Sequence, residues 1–303
     1  MVSIAAVIVS CGLGASGPDA YVFGGINSGD PWGWTGPGMD GLRGAIASPA
    51  NFGAGGVVAA SASTVTLRAL TAQNLAGISC FVAPAVGDAL YTPTQLDAIV
   101  SWFLCGGDLL LLDDRNDFDA IGAALGFPTL TGPGNGAGTY VGTSVGSNPL
   151  TSGPFGTVTS FDEYYLVGHL TEASVVAAGG HVAAVNTDGA CVVYWDAREF
   201  APHAGRLVIV TDVDTFADNS SYSGAANYVN VNSNARLALN TIAFYLAPRP
   251  CAADLNADGT VDAADLAILL GAWSSGGAAD LNCSGAVDAS DLAILLGAWG
   301  PCS

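Results

Sequence analysis

The chain runs to 303 residues, half of them hydrophobic and only 11% charged, with 41 glycines and a net charge of −19 from 7 basic and 26 acidic side chains. Such a composition excludes a disordered or collagen-like chain, and the length fits one full domain plus an appendage. All the basic residues are arginines, and so negative a field repels phosphate backbones and anionic lipid, which argues against nucleic acid and leaves cations as natural partners.

The N-terminal stretch MVSIAAVIVSCGLGASG has an apolar core but no basic flank. It reads as a secretion signal lacking its usual n-region, as a lipobox at Ile8-Val9-Ser10-Cys11, or as a buried first strand over Ile4–Val9. Further on, Trp32 and Trp34 in GDPWGWTGPG either stack on a sugar ring or pack their own loop. Ile78 to Ala83 reads as a buried strand. Thr92-Pro93 opens a helix that runs to about Leu104 and ends at Gly106-Gly107, because Thr caps, Pro suits the first turn and Gly permits the exit. Leu109 to Leu112 is the next strand, and Asp117 to Leu125 a second helix. Residues 131–148 are rich in glycine and read as a surface loop. Residues 175–195 alternate like an antiparallel pair at a sheet edge. Leu207 to Val210 is a late strand, and Asn234 to Leu246 a closing helix. No run of about 20 apolar residues occurs, so no membrane span is expected.

These alternations predict an α/β fold, with a mostly parallel sheet and helices on both faces in a flavodoxin-like or amidotransferase-like order. A boundary is expected at Pro248-Arg249-Pro250, dividing residues 1–248 from residues 249–303. Residues 251–303 hold seven aspartates and nothing basic. So short and one-sided a segment folds poorly unless something positive enters it.

The strongest internal signal is a duplication. ADLNADGTVDAADLAILLGAW from Ala253 recurs as ADLNCSGAVDASDLAILLGAW from Ala279. In the first copy Asp254, Asn256, Asp258, Asp262 and Asp265 take loop positions one, three, five, nine and twelve. Gly259 takes position six, and the carbonyl of Thr260 position seven. Hard oxygen ligands at this spacing, with glycine at the sharp turn, are the EF-hand arrangement for Ca²⁺. The second copy offers Asp280, Asn282, Ser284, Asp288, Asp291 and the Ala286 carbonyl. Ser284 replaces a carboxylate, so two calcium sites are expected, the second weaker. Each loop feeds an apolar helix, and Leu266, Ile268, Leu269, Leu270 and Trp273 are expected to be covered by their twins Leu292, Ile294, Leu295, Leu296 and Trp299 in a pseudo-twofold pair.

The duplicated DLNxDGxVDxxDL segment resembles a type I dockerin. The resemblance implies a small, all-α, calcium-bound helix pair that docks onto a cohesin-like protein or cell-surface scaffold and anchors a cargo domain. Recognition there involves small residues at loop positions ten and eleven, here Ala263-Ala264 and Ala289-Ser290. Where dockerins often carry Lys or Arg in mid-helix, this chain has Leu270-Gly271 and Leu296-Gly297, which leaves two alternatives, an apolar interface or no cohesin partner at all.

Upstream, TPTQLDAIVSWFLCGGDLLLLDD with FDAIGAALG, NPLTSGPFGTVTSFDEYY and GRLVIVTDVDTFAD resemble the class I glutamine amidotransferase-like superfamily, in its trehalose-utilisation-like branch. That family's nucleophilic cysteine would fall at the turn after the strand following the Gly pair. This chain has Asp113-Asp114-Arg115 there, and a carboxylate cannot replace a thiolate, so glutaminase activity is not expected. Cys80 and Cys105 are read as core residues. Because open sheets bind ligands beyond the carboxyl ends of their strands, Asp113, Asp114, Arg115, Asp162, Glu163, Tyr164, Asp212 and Asp214 could share a crevice, as acid and base on a glycoside or as metal ligands, or could cap helices. His169, His181 and His203 have no metal spacing.

Cys251 and Cys302 bracket the duplication and could close it as a clasp, with Cys283 competing for either. Calcium loops and a clasp both favour an oxidising exterior. The expectation is therefore a secreted or cell-surface calcium protein with an attachment tail and a binding module, for which carbohydrate is the candidate ligand. The alternatives are a polysaccharide-acting hydrolase on the same tail and a structural surface component.

Overall fold

The computed structural model describes residues 20–84, 87–114, 118–131, 139–164, 167–217 and 233–302. The expected first strand at residues 4–9, the Cys11 lipobox and Arg115 lie outside them. The principal sheet has nine strands. In chain order they are β1 (Tyr21–Ile26), β2 (Ala62–Leu67), β3 (Cys80–Pro84), β4 (Asp108–Leu112), β5 (Thr139–Ser144), β6 (Ser160–Tyr164), β7 (His181–Val185), β8 (Ala190–Trp195) and β9 (Leu207–Val210). Across the sheet the order is β2-β1-β3-β4-β9-β8-β7-β5-β6. The helices are α1 (Asp40–Ile46), α2 (Ala72–Leu75), α3 (Pro93–Leu104), α4 (Ala120–Ala124), α5 (Glu172–Ala177), α6 (Ser233–Leu246), α7 (Ala263–Gly271) and α8 (Ala289–Gly297).

Strand alternation explains the layering. On β4, Leu110 and Leu112 join Phe23, Val208 and Val210 in a core with Leu42 and Ile46 of α1 and Leu237 and Ile242 of α6. Leu109 and Leu111 point to the other face, where Ile99, Trp102 and Phe103 of α3 pack with Leu75, Ile121 and Val175. Central strands are therefore apolar on both sides, as a sheet covered by helices on both faces requires. Helix α3 begins with a capping box, in which the Gln95 N–H reaches Thr92 Oγ1 at 3.3 Å and the Thr92 N–H reaches Gln95 Oε1 at 2.9 Å. It leaves through Gly106 at φ 99°.

The sheet is mixed rather than mostly parallel. Strands β2, β1, β3, β4 and β9 run parallel, whereas β8, β7, β5 and β6 continue the sheet antiparallel. The pair expected at a sheet edge is β7 and β8, and it lies inside the sheet because β5 and β6 extend it. Residues 175–177, read as part of that pair, belong to α5. The expected loop over residues 131–148 contains β5, since Thr139, Tyr140, Val141 and Thr143 favour a strand despite the neighbouring glycines. The second expected helix shrinks to α4, whose first N–H groups are held from outside by Asp88 Oδ1, with Asp119 N at 3.0 Å and Ala120 N at 2.9 Å.

Buried Arg206 ties the sheet to the end of α6. Its guanidinium donates to the carbonyls of Tyr245 at 3.0 Å, Ala247 at 2.7 Å and Pro248 at 2.8 Å, and to Asp196 Oδ1 at 2.7 Å. These are the carbonyls a helix C-terminus leaves without partners. Arg249 turns back to Asp108 and to the Gly106 carbonyl, the latter at 2.9 Å.

The last fifty residues form their own core, from Ala253, Val261, Leu269, Ala279, Leu281, Val287 and Leu295. They are not purely helical, because Thr260–Val261 pairs antiparallel with Gly300–Pro301. The duplication is built as a twofold exchange. Val261 pairs with Gly300, past α8, while the Ser274 N–H past α7 reaches the Val287 carbonyl at 2.9 Å and the Val287 N–H returns to Ser275 at 2.8 Å. Each loop is thus closed by the chain that follows the other loop's helix.

Candidate metal centre

The two loops repeat most of each other's contacts. Asp254 Oδ1 accepts the Asp258 N–H at 3.1 Å and Oδ2 the Gly259 N–H at 2.8 Å. Asp280 does the same with Ser284 at 3.0 Å and Gly285 at 2.8 Å. Asp265 Oδ1 accepts from Leu255 at 2.7 Å and from Asn256 at 3.1 Å, and Oδ2 from Asp262 at 2.8 Å. Its twin Asp291 accepts from Asn282 at 3.0 Å and from Asp288 at 2.8 Å. Asp262 and Asp288 cap α7 and α8 in capping boxes closed by Asp265 and Asp291. Gly259 and Gly285 sit at φ 90° and 98°, where a side chain would be strained, and the position-four residues Ala257 and Cys283 are also left-handed, at 59° and 54°.

Asp254, Asp265, Asp280 and Asp291 are all buried. Burial raises the Asp265 carboxyl, but the N–H groups of Asp262, Asn256 and Leu255 outweigh it and hold the group below the usual carboxylate range. Among the described residues no three Asp, Glu, His or Cys side chains are drawn together as a ready cluster. The loop carboxylates instead organise the loop's own N–H groups. Carboxylate, amide, hydroxyl and carbonyl oxygens, with nitrogen and sulfur donors excluded, nevertheless form a set suited to a hard cation such as Ca²⁺. Asp254, Asn256, Asp258, Thr260, Asp262 and Asp265 would hold one ion, and Asp280, Asn282, Ser284, Ala286, Asp288 and Asp291 the other. Bound cation would supply the positive charge these buried aspartates lack.

The helices bury less than their sequence suggests. Leu269 and Leu295 are fully buried, whereas Leu270 and Leu296 are each 50% exposed, Trp273 45% and Trp299 49%, and Ile268 is also exposed. A nine-residue helix turns only one narrow stripe inward, and Trp273 and Trp299 lie past the helix ends. The uncovered side chains leave large apolar groups exposed on both helices and just past their ends. The segment meets the connection between β8 and β9 instead: Arg198 Nη1 donates to the Cys251 and Asp254 carbonyls at 3.0 and 3.4 Å, and His203 Nε2 to the Gly277 carbonyl at 2.9 Å.

Of the upstream carboxylates, Asp212 and Asp214 converge with Glu163. Asp212, past the end of β9, accepts the Tyr164 N–H at 2.8 Å and the Asp214 N–H at 2.9 Å. That contact brings the end of edge strand β6 over the end of β9. Asn234 at the start of α6 fixes the crossing by donating to the Asp162 carbonyl at 2.7 Å and accepting the Asp162 N–H at 3.0 Å. Glu163 is wholly buried, and neither of its oxygens accepts a hydrogen bond of sound geometry, although Asn186 and Cys191 face it. Burial first, then the Asp188 charge, pushes its carboxyl up to about 7 against the Asn186 and Cys191 dipoles. Burial also raises Asp214 to about 6, and raises Asp212, which the Asp214, Glu163 and Asp114 charges reinforce. Asp113 departs from this group. It is buried beside α4, accepts from Thr129 Oγ1 at 3.2 Å, and is raised by burial and by Asp119. Asp162 is exposed.

Other expected contributors serve the fold. Trp34 is buried and donates from Nε1 to the Val65 carbonyl at 2.8 Å, so it packs its loop. His181 pairs with Glu199 at 3.0 Å and stacks on Tyr194. Cys80 is a core residue as expected, but Cys105 is only half-buried. Sequence reasoning missed a cleft of about 560 Å³ at the carboxyl ends of β1 and β2, lined by Ile26, Asn27, Leu67, Arg68 and Leu70. Neither strand end carries a motif that would have marked it.

No curated protein matches the chain. Among solved structures it is similar to a putative GMP synthase protein from Thermoplasma acidophilum, at 11% identity and TM-score 0.46, covering 75% of this chain and 95% of that one. It is similar also to a cytoplasmic protein from Salmonella typhimurium, at 12% and 0.45 over 74% and 98%, and to the mmIFT52 N-terminal domain, at 12% and 0.42 over 61% and 85%. These identities name no family for the upstream residues. Residues 252–297 match the family described as Dockerin type I domain, and with the loop pair and helix pair laid out above, this segment of the chain is a dockerin type I domain.

Proposed function

We propose that residues 249–303 take up two calcium ions, the second more weakly, and attach the protein outside the cell to a cohesin-type partner, with residues 1–248 as cargo. The exposure of the large apolar side chains Ile268, Leu270, Trp273, Leu296 and Trp299 carries this reading. Large apolar side chains left exposed within so short a segment mark an interaction surface, and Arg198 and His203 engage the chain just ahead of the loops, which leaves the helices to meet the partner. Calcium couples to this role because the loops hold both helices at their N-termini. The apolar residues at helix positions where dockerins often carry Lys or Arg favour a cohesin with an apolar docking face.

For the cargo we favour a non-glutaminase binding module, with carbohydrate as the candidate ligand, over a polysaccharide hydrolase or a structural surface component. A general acid must come within hydrogen-bond reach of its substrate. Glu163, the carboxyl best tuned for that work, is wholly buried. The test is binding of the full chain to a panel of immobilised type I cohesins in calcium. The reading predicts saturable capture by at least one cohesin that drops more than tenfold in Leu270→Asp/Leu296→Asp. Capture by none, or capture indifferent to that double change, contradicts it.

A further inference from the structure

Two cysteines from opposite sides of the contact between the sheet and the calcium loops lie side by side. Cys105 follows α3 as its C-cap, just before Gly106 turns the chain into β4. Cys283 stands at position four of the second loop, between Asn282 and Ser284. Both are half-buried, and their thiols are in hydrogen-bond contact. The surroundings hold them there. Arg249 Nη1 donates to the Gly106 carbonyl at 2.9 Å, His203 Nε2 to the Gly277 carbonyl at 2.9 Å, and the Cys283 N–H to the Asp280 carbonyl at 3.2 Å. The remaining described cysteines sort themselves without this pair. Cys251 and Cys302 are also in thiol contact, at the ends of the duplication, while Cys80 and Cys191 are buried in the sheet core. Cys283, which on sequence competes for the terminal clasp, thus has its neighbour in the upstream domain instead.

We propose that Cys105 and Cys283 form a disulfide that locks the second calcium loop onto the sheet domain. The oxidant is a small-molecule or protein disulfide. One cysteine thiolate attacks it and releases a thiol, and the second thiolate then displaces the other half from the mixed disulfide. Two S–H bonds are lost, one S–S bond forms, and the two electrons and two protons leave on the two thiols released. Such a bond would close a long chain loop and fix the docking helices relative to their cargo, where hydrogen bonds alone now do so.

The test is peptide mapping of the full-length protein equilibrated with glutathione disulfide, alkylated, and digested with pepsin at low pH to prevent exchange. The expected result is a linked peptide joining Cys105 to Cys283, separate from one joining Cys251 to Cys302. In Cys105→Ser, Cys283 should become alkylated while the Cys251–Cys302 peptide persists. Cys283 linked to Cys251 or Cys302, or Cys105 and Cys283 both alkylated in the oxidised wild type, overturns the proposal. Neither readout depends on calcium uptake or on capture by a cohesin.

Discussion

The carboxylate of Asp254 and the backbone of Gly259 close the first of the duplicated loops on itself, with Oδ2 accepting the glycine N–H at 2.8 Å. Asp280 and Gly285 repeat the contact at 2.8 Å in the second loop. The glycine can make it because its φ of 90° is open to it. Gly259→Ala would strain that residue by about 1–2 kcal/mol. We expect the variant to lose first-site calcium affinity about tenfold while the second site is unchanged, as read by isothermal titration.

The second loop lacks one carboxylate, and its Ser284 hydroxyl is occupied with the Ala286 carbonyl at 3.1 Å. Affinity in such loops follows ligand charge. Ser284→Asp should therefore tighten the second site by about tenfold and bring the two sites together in a titration. An unchanged second site would show that charge at position five does not limit it.

Arg206 is the clasp of the upstream domain. Removing it strands three carbonyls at the end of α6 and the buried groups that pack on it, among them Phe244, whose ring lies 5.0 Å below the guanidinium. Asp196 is 42% exposed and regains water, so the cost is that of stranding the buried carbonyls, about 1–3 kcal/mol each. Urea unfolding of Arg206→Ala should show a loss of that size in the upstream transition.

Glu163 makes stability depend on pH. Its folded-state carboxyl is pushed from 4.5 up to about 7, so the folded protein binds the proton more tightly than the unfolded chain. The contribution is fully present below about pH 4.5 and is lost as pH rises through about 7, on the order of 3 kcal/mol in all. Glu163→Gln cannot ionise. It should match wild type at pH 4 and exceed it at pH 8 in denaturant midpoint, while Asp214, pushed up to about 6, keeps a smaller fall at lower pH in both proteins.

Legibility in the sequence tracks how local the determining physics is. Helix α3 is readable because Thr92, Pro93, Gln95 and Gly106 act within a few residues of one another. The dockerin segment is readable because its residue spacing recurs in two matched loops. Strand β5 is hidden by adjacent glycines, and the antiparallel half of the sheet depends on pairings between distant segments that no periodicity announces. The convergence of Glu163 and Asp212 needs β6 to cross over the end of β9, and Arg206 needs α6 to end where it does. The exposed apolar side chains of α7 and α8 are misread from sequence because their composition suggests full mutual cover, whereas short helices can bury only one stripe.

The central claim is that calcium sets the shape of the attachment tail. Hydrogen–deuterium exchange of the full chain, with calcium and with EDTA, tests it most directly. The account predicts that chelation speeds exchange at least tenfold at amides of residues 254–297, Gly259 and Gly285 among them, while the sheet amides of β3, β4 and β9 keep their protection. Equal protection of both loops in calcium and in EDTA would contradict it.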